Sequence, residues 1–323
     1  MRPPVALKHG FPFDPAYGYD EAGLLAITAP AEVADFADFW RGTFAQTMAT
    51  PLRLEVGEPI AGVAGRVVRE VRFDTLGGVR VGAWWSMPTD GEIAVGCVTG
   101  HGYGGRGDWQ NGWRPSRCAE ILPCAPGFNL SARADLPDTS DRHVIHGIAS
   151  RETYLIRACV ASMWSAASAL IELAPAAAGR LLYLGGSFAG GLGSLALPWD
   201  ERFAAAFMEV PTFGHHPLRL TCRCVGSGES VRSYAADHPG VMDVLAYFDA
   251  AVAARRIAIP TLVCPARFDP AVPPPGQYAV ANALPNKVMI ALTTGHFDNP
   301  DGASDQRAQL RAWRSLAAAR GQT

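Results

Sequence analysis

The sequence predicts an α/β fold: a mostly parallel central sheet with helices on both faces and an antiparallel hairpin at its N-terminal edge. Three observations carry this. Short, mostly apolar runs at 93–99, 119–124, 181–184, 203–210, 261–266 and 287–292 have the character of buried strands, 181–184 uniformly so. Helical segments fall between most of them, the alternation that implies parallel strands joined by right-handed crossovers. Val67–Phe73 and Val79–Met87 flank Thr75-Leu76-Gly77-Gly78, which reads as a hairpin with a Gly-Gly turn.

Taken in order, residues 1–30 are rich in Pro, Gly and aromatics and are expected to wrap irregularly over the surface. Over 32–48, Val33, Phe36, Trp40 and Phe44 recur at helical spacing and form a docking stripe. After the hairpin, strand 93–99 runs into Gly100-His101-Gly102-Tyr103-Gly104-Gly105-Arg106. A long polar loop is expected over 125–150, and an Ala-rich helix over 154–173. Leu181–Leu184 leads through Gly185-Gly186-Ser187-Phe188-Ala189-Gly190-Gly191 into a segment, 192–197, that can be helical. Residues 211–248 interrupt the alternation and read as an insertion, a lid or an assembly surface. Strand 261–266, a helix over 275–284, strand 287–292 and a terminal helix over 301–320, with Leu310, Trp313 and Leu316 inward, complete one domain spanning 1–323. Its N-terminal extension, 1–50, is expected to pack on that domain.

Composition excludes several classes. The 323 residues are 49% hydrophobic and 18% charged, which supports a large core. A net charge of −2 without a basic run argues against nucleic acid or an anionic membrane as partner. No apolar stretch is expected to span a bilayer, and Met1–Phe13 lacks the apolar core of a signal peptide. Seven cysteines, an odd number, fit buried free thiols in a reducing cytoplasm. Cys222-Arg223-Cys224 is too close-spaced and isolated for zinc, so neither metal nor cofactor is expected.

The chemistry lies where active sites of open α/β sheets lie, beyond the carboxyl ends of strands. Strand, sharp turn with Ser187 at its apex, then helix is the nucleophile elbow, with Ala189 at the last position of G-x-S-x-G. A serine hydroxyl needs a base, and the base needs a partner to fix its tautomer. His296 follows the last strand and Asp269 the one before it, so the order is Ser, Asp, His, as in α/β-hydrolases. Glu209, ending the strand after the elbow, is a rival acid. The oxyanion donors of this arrangement are the backbone N–H groups of Phe188 and Tyr103. His101 is expected to support its loop and Asp298 to shape its own. Trp109 and Trp113 either stack on substrate or cover the site's edge, and His215 and His216 are placed on the surface or a lid.

The segments ADFWRGTF, HGYGGRGDW, GGSFAGG, RFDPAVPPPGQYAVANAL and TTGHFDN together resemble the acetyl xylan esterase/cephalosporin C deacetylase family (carbohydrate esterase family 7), over residues 30 to 320. The resemblance implies an α/β-hydrolase fold and a cytoplasmic serine esterase that removes acetyl groups from small acetylated sugars. It also implies a homo-oligomer, a ring of six in that family. It carries over Ser187 as nucleophile, His296 as base, Asp269 as orienting acid, and the Tyr103 and Phe188 amides as oxyanion donors. The chain departs where that family has Gln and Gly after the serine (here Phe188 and Ala189), Arg-Gly-Gln near residue 127 (here Ala125-Pro126-Gly127-Phe128), and Glu after the histidine (here Phe297). Trp109, Trp113 and Phe297 are thus the substrate-pocket candidates. Thioesterase, peptidase or lactonase activity, or a non-catalytic binding role, are the alternatives on the same scaffold.

Overall fold

A computed structural model describes residues 7–321; the first six residues of the expected N-terminal extension lie outside that range. Nine strands form one sheet: β1 (Glu55–Pro59), β2 (Arg66–Thr75), β3 (Val79–Pro88), β4 (Val95–Thr99), β5 (Cys118–Pro123), β6 (Leu181–Gly186), β7 (Phe203–Glu209), β8 (Thr261–Cys264) and β9 (Lys287–Met289). Their order is β1-β2-β3-β5-β4-β6-β7-β8-β9. From β5 to β9 all pairings are parallel, while β1, β2 and β3 form an antiparallel extension. In the hairpin turn, Gly77 and Gly78 take φ of 68° and 74°, a conformation that side chains disfavour.

One sheet face carries the main core, packed by α2 (Phe36–Ala49), α4 (Leu155–Leu173), α5 (Phe188–Ala196) and α9 (Ala250–Ala254). The other is covered by the terminal helix α11 (Gly302–Gly321), through Trp313 and Ala317. The other helices are α1 (Glu21–Leu25), α3 (Ser140–His143), α6 (His216–Arg219), α7 (Gly228–Asp237), α8 (Val241–Leu245) and α10 (Pro274–Ala283).

Several expectations are corrected. Strand β1 was not anticipated: all five of its residues are exposed, so no alternation marks it. Helix α5 starts at Phe188, directly after the serine, rather than at residue 192. On α11 the buried stripe is Gln309, Trp313 and Ala317, with Leu310 and Leu316 only half-buried. Helix α4 is, by length and composition, apolar enough to cross a bilayer, contrary to expectation. Here thirteen of its residues are buried, packed against strands, α2 and α5. The 125–150 loop is not uniformly polar, because Ala125–Phe128 is buried. Within 211–248, His216 is buried rather than on the surface, its amide held by Asp249.

Candidate active site

The elbow is built by close approach. Ser187 takes φ 53° and ψ −111°, a strained conformation held by its N–H donating to Glu209 O and its carbonyl accepting from Gly191 and Thr212 N–H. Ala189, in place of the motif's last glycine, is accommodated by a glycine elsewhere. A Cβ on Gly100 would lie 2.5 Å from the Ala189 methyl, so the missing side chain at 100 makes the room.

Beyond β8, Asp269 is fully buried. Its Oδ1 accepts from the N–H groups of Ala271 and Val272 at 2.8 and 2.9 Å. Its Oδ2 accepts from Gln277 Nε2 at 2.9 Å and from His296 Nδ1 at 2.8 Å. A carboxylate only accepts, so the imidazole proton sits on Nδ1. That leaves Nε2 to accept from Ser187 Oγ, 3.0 Å away. Burial opposes the imidazolium, but the hydrogen bond and charge of Asp269, aided by the Glu209 carboxylate, hold the His296 pKa above its ordinary value. The Glu209 carboxylate itself accepts from Gln309 Nε2 at 2.8 Å and does not bond the imidazole.

The two residues expected to supply oxyanion donors lie beside Ser187: Tyr103 lines the same cavity and Phe188 follows it in the chain. Phe188 is the first residue of α5, so its N–H has no intrahelical acceptor. The Tyr103 N–H likewise has no acceptor among the described residues. Their rings stack at 4.0 Å and 17°, packed by Phe128, His143 and Phe213. Phe188 therefore extends an aromatic cluster that fixes both donors. His143 Nε2–H donates to Pro126 O at 2.9 Å. His101 Nε2 accepts from Ala125 N–H at 2.9 Å while its Nδ1 lies 2.7 Å from Gly102 O. Burial pushes both histidines down to about 4, so each is a neutral brace and not a proton carrier.

A cavity of about 420 Å³ opens on Ser187 and His296. Its walls are Gly102–Gly104, Ser140, Thr212, Gly226–Ser227 and Ala271–Val272. The insertion thus supplies one wall. None of the three aromatic pocket candidates lines it. Trp109 packs beside Trp84 and under Arg114. Trp113 packs on Phe207 at 5.1 Å, and its carbonyl accepts from the Trp313 indole N–H. Phe297 lies between Phe11 and Phe268. Trp113 and Phe297 instead border a separate groove with Glu209 and Asp298. Their aromatic character, a correct cue for packing, carried no information on direction. Sequence reasoning missed Gln277, which also accepts from Ala266 N–H and donates to Val272 O. Its only signal was its place, eight residues beyond Asp269 in the first turn of α10.

All seven cysteines are buried and unpaired. Among the described residues no group of three His, Cys, Asp or Glu side chains is arranged to hold a metal.

Set beside known proteins, residues 27–316 match the family described as acetyl xylan esterase (AXE1). No curated protein sequence matches the chain. An acetyl xylan esterase from Paenibacillus sp. R4 superposes with a TM-score of 0.80 at 21% identity, over 91% of this chain and 99% of that one. Acetyl xylan esterase 1 from Thermoanaerobacterium sp. JW/SL YS485 also gives 0.80, at 19% identity, over 94% and 99%. An acylaminoacyl peptidase from Pyrococcus horikoshii gives 0.55 at 14% identity, over 79% of this chain and 41% of that one. These likenesses place the sheet and its helices in the α/β-hydrolase fold.

Proposed function

The chain belongs to the acetyl xylan esterase family, and from that membership we propose that it is a serine carboxylic-ester hydrolase that deacetylates small acetylated sugars or similar acetyl esters. The observation that carries this is the Ser187–His296–Asp269 chain of hydrogen bonds, 3.0 and 2.8 Å, beside two unengaged backbone donors. Ser187 Oγ attacks the acetyl carbonyl carbon as its proton passes to His296 Nε2. Negative charge on the carbonyl oxygen is met by the Tyr103 and Phe188 N–H groups. The C–O bond then breaks, and the departing alcohol oxygen takes the proton from His296. Water, deprotonated by the same nitrogen, attacks acetyl-Ser187 and releases acetate, restoring the serine. Asp269 holds the ring and stabilises its cationic form without itself taking the proton.

Labelling by a fluorophosphonate, together with turnover of 4-nitrophenyl acetate, butyrate and longer esters, acetylated xylo-oligosaccharides and cephalosporin C, tests the reading. Ser187→Ala is expected to lower kcat by about 10⁶. Loss within about tenfold of wild type would remove Ser187 from the role. We also propose a cytoplasmic homo-oligomer, tested by light scattering on the eluted protein and by fractionation of the source cells.

A further inference from the structure

Four of the buried side-chain polar atoms without a hydrogen-bond partner fall within eight residues: Thr212 Oγ1, His216 Nδ1, Arg219 Nε and Arg219 Nη1. Arg219 is only 3% exposed, and no carboxylate among the described residues lies within ion-pair distance of it. A buried cation without a counter-ion is costly, and folds retain one where it has work to do. The carboxylates nearby in the chain are engaged elsewhere. Asp249 is held by the N–H groups of His215, His216, Ala251 and Val252, and Glu229 by Arg232 and the Cys224 N–H.

The guanidinium lies one layer behind the catalytic cavity. Its carbon is 5.5 Å from the Phe213 ring centroid, next to Thr212. Its Nη2 would lie 2.8 Å from a Cβ on Gly228, next to Ser227. Both Thr212 and Ser227 line the cavity. Gly228 is also the first residue of α7, a ten-residue helix whose N-terminus has no side-chain cap. Arg219 thus lies beside the first turn of α7, whose one carboxylate, Glu229, is taken by Arg232. Thr212, 2% exposed, has its Oγ1 buried without a partner in the same wall.

We propose that Arg219, with Thr212, is the specificity element of the catalytic cavity and selects esters that carry a carboxylate. This rests on the esterase reading. An acetyl group bears no charge, so the anion belongs to the alcohol half: an acetylated uronic acid or an acetylated aromatic hydroxy acid is the class of substrate that fits. Binding places the carboxylate against the Thr212–Ser227 wall, where the buried guanidinium behind that wall attracts it through the low-dielectric protein.

The test compares phenyl acetate with 3-acetoxybenzoate, which differ by one carboxylate, in wild type, Arg219→Met, Arg219→Lys and Thr212→Val. The ratio of kcat/KM for the charged over the neutral ester is expected to fall about thirtyfold or more in Arg219→Met. It should fall much less in Arg219→Lys, with the loss mainly in KM. A ratio that does not change in Arg219→Met overturns the proposal. Should that variant not fold, wild type decides alone: benzoate is expected to inhibit phenyl acetate hydrolysis competitively and far more strongly than benzamide, and equal inhibition overturns it. If neither ester is turned over at all, the esterase reading has failed instead, and the two failures are told apart.

Discussion

Gly100→Ala is the substitution that most directly probes how this elbow tolerates Ala189. The φ of Gly100 lies outside the left-handed region, so alanine meets no backbone penalty there and the contact alone decides. The new Cβ would lie 2.5 Å from the Ala189 Cβ, against about 3.5–4.0 Å for relaxed carbon atoms. The end of β4 and the start of α5 must separate by roughly 1 Å, the overpacking regime of about 1–3 kcal/mol. For a chain of this size that is a Tm lower by roughly 1.5–4.5 °C. The two elements being forced apart lead to the Tyr103 and Phe188 amides, so kcat should fall too, by about tenfold, short of the 10²–10³ lost with a whole donor. Calorimetry and 4-nitrophenyl acetate turnover measure both effects. Adding Ala189→Gly removes the clashing methyl; the next neighbours, Tyr183 Oη at 3.5 Å and Ala189 Cα at 3.7 Å, are ordinary contacts. The double variant should recover most of the loss, with a coupling of about 1 kcal/mol or more. A Gly100→Ala protein as stable and active as wild type, or a double variant no better than the single, would refute the reasoning.

Three further outcomes follow from the geometry. The base must be neutral to act and its pKa is raised, so kcat/KM should climb with pH through a midpoint above 6.5, and Asp269→Asn should abolish or lower that midpoint. Gln277→Leu removes a donor to Asp269 and should reduce kcat by about 10–10² without moving KM, less than the ~10⁴ that follows loss of the acid's role; an unchanged kcat would show that the backbone N–H groups alone hold Asp269. His101 and His143 are held to about 4 and His216 to about 3, first by burial. Folded they stay neutral while the unfolded chain takes up protons below about 6.5, so their stability contribution is full above that pH and drains away towards 4. His296, raised, loses its contribution only as pH increases through its own pKa and does not mask this. A Tm that stays flat between pH 6.5 and 5 would contradict the burial of these three rings.

What the sequence disclosed followed from chemistry that repeats locally. Leu181–Leu184 and Thr261–Cys264 are buried on both faces, and such strands write themselves as uniform apolar runs. Asp269 and His296 were legible because each stands directly past such a run, and the sheet then converts order along the chain into proximity. Strand β1 was invisible because pairing with β2 uses only its backbone, which Glu55-Val56-Gly57-Glu58-Pro59 does not advertise. Trp113, Phe297 and His216 were misplaced for a related reason. Residue type sets how a side chain packs, but its direction depends on partners such as Phe207, Phe268 and Asp249 that lie far along the chain. Arg219 gave no cue at all, since an arginine in a polar stretch looks solvated until the fold closes around it.

Ser187 and His296, the proposed nucleophile and base, are 109 residues apart in the chain. At about 5–20 residues per second of synthesis, Ser187 is made roughly 5–20 s before His296. For that interval the growing chain carries a serine with no base beside it, and Asp269 too has yet to meet its imidazole. The ester-cleaving machinery is therefore completed late in synthesis. Recovery of turnover is a stricter marker of finished folding than any spectroscopic signal from strands β1 to β7, and a chain released early, however well formed, is chemically silent.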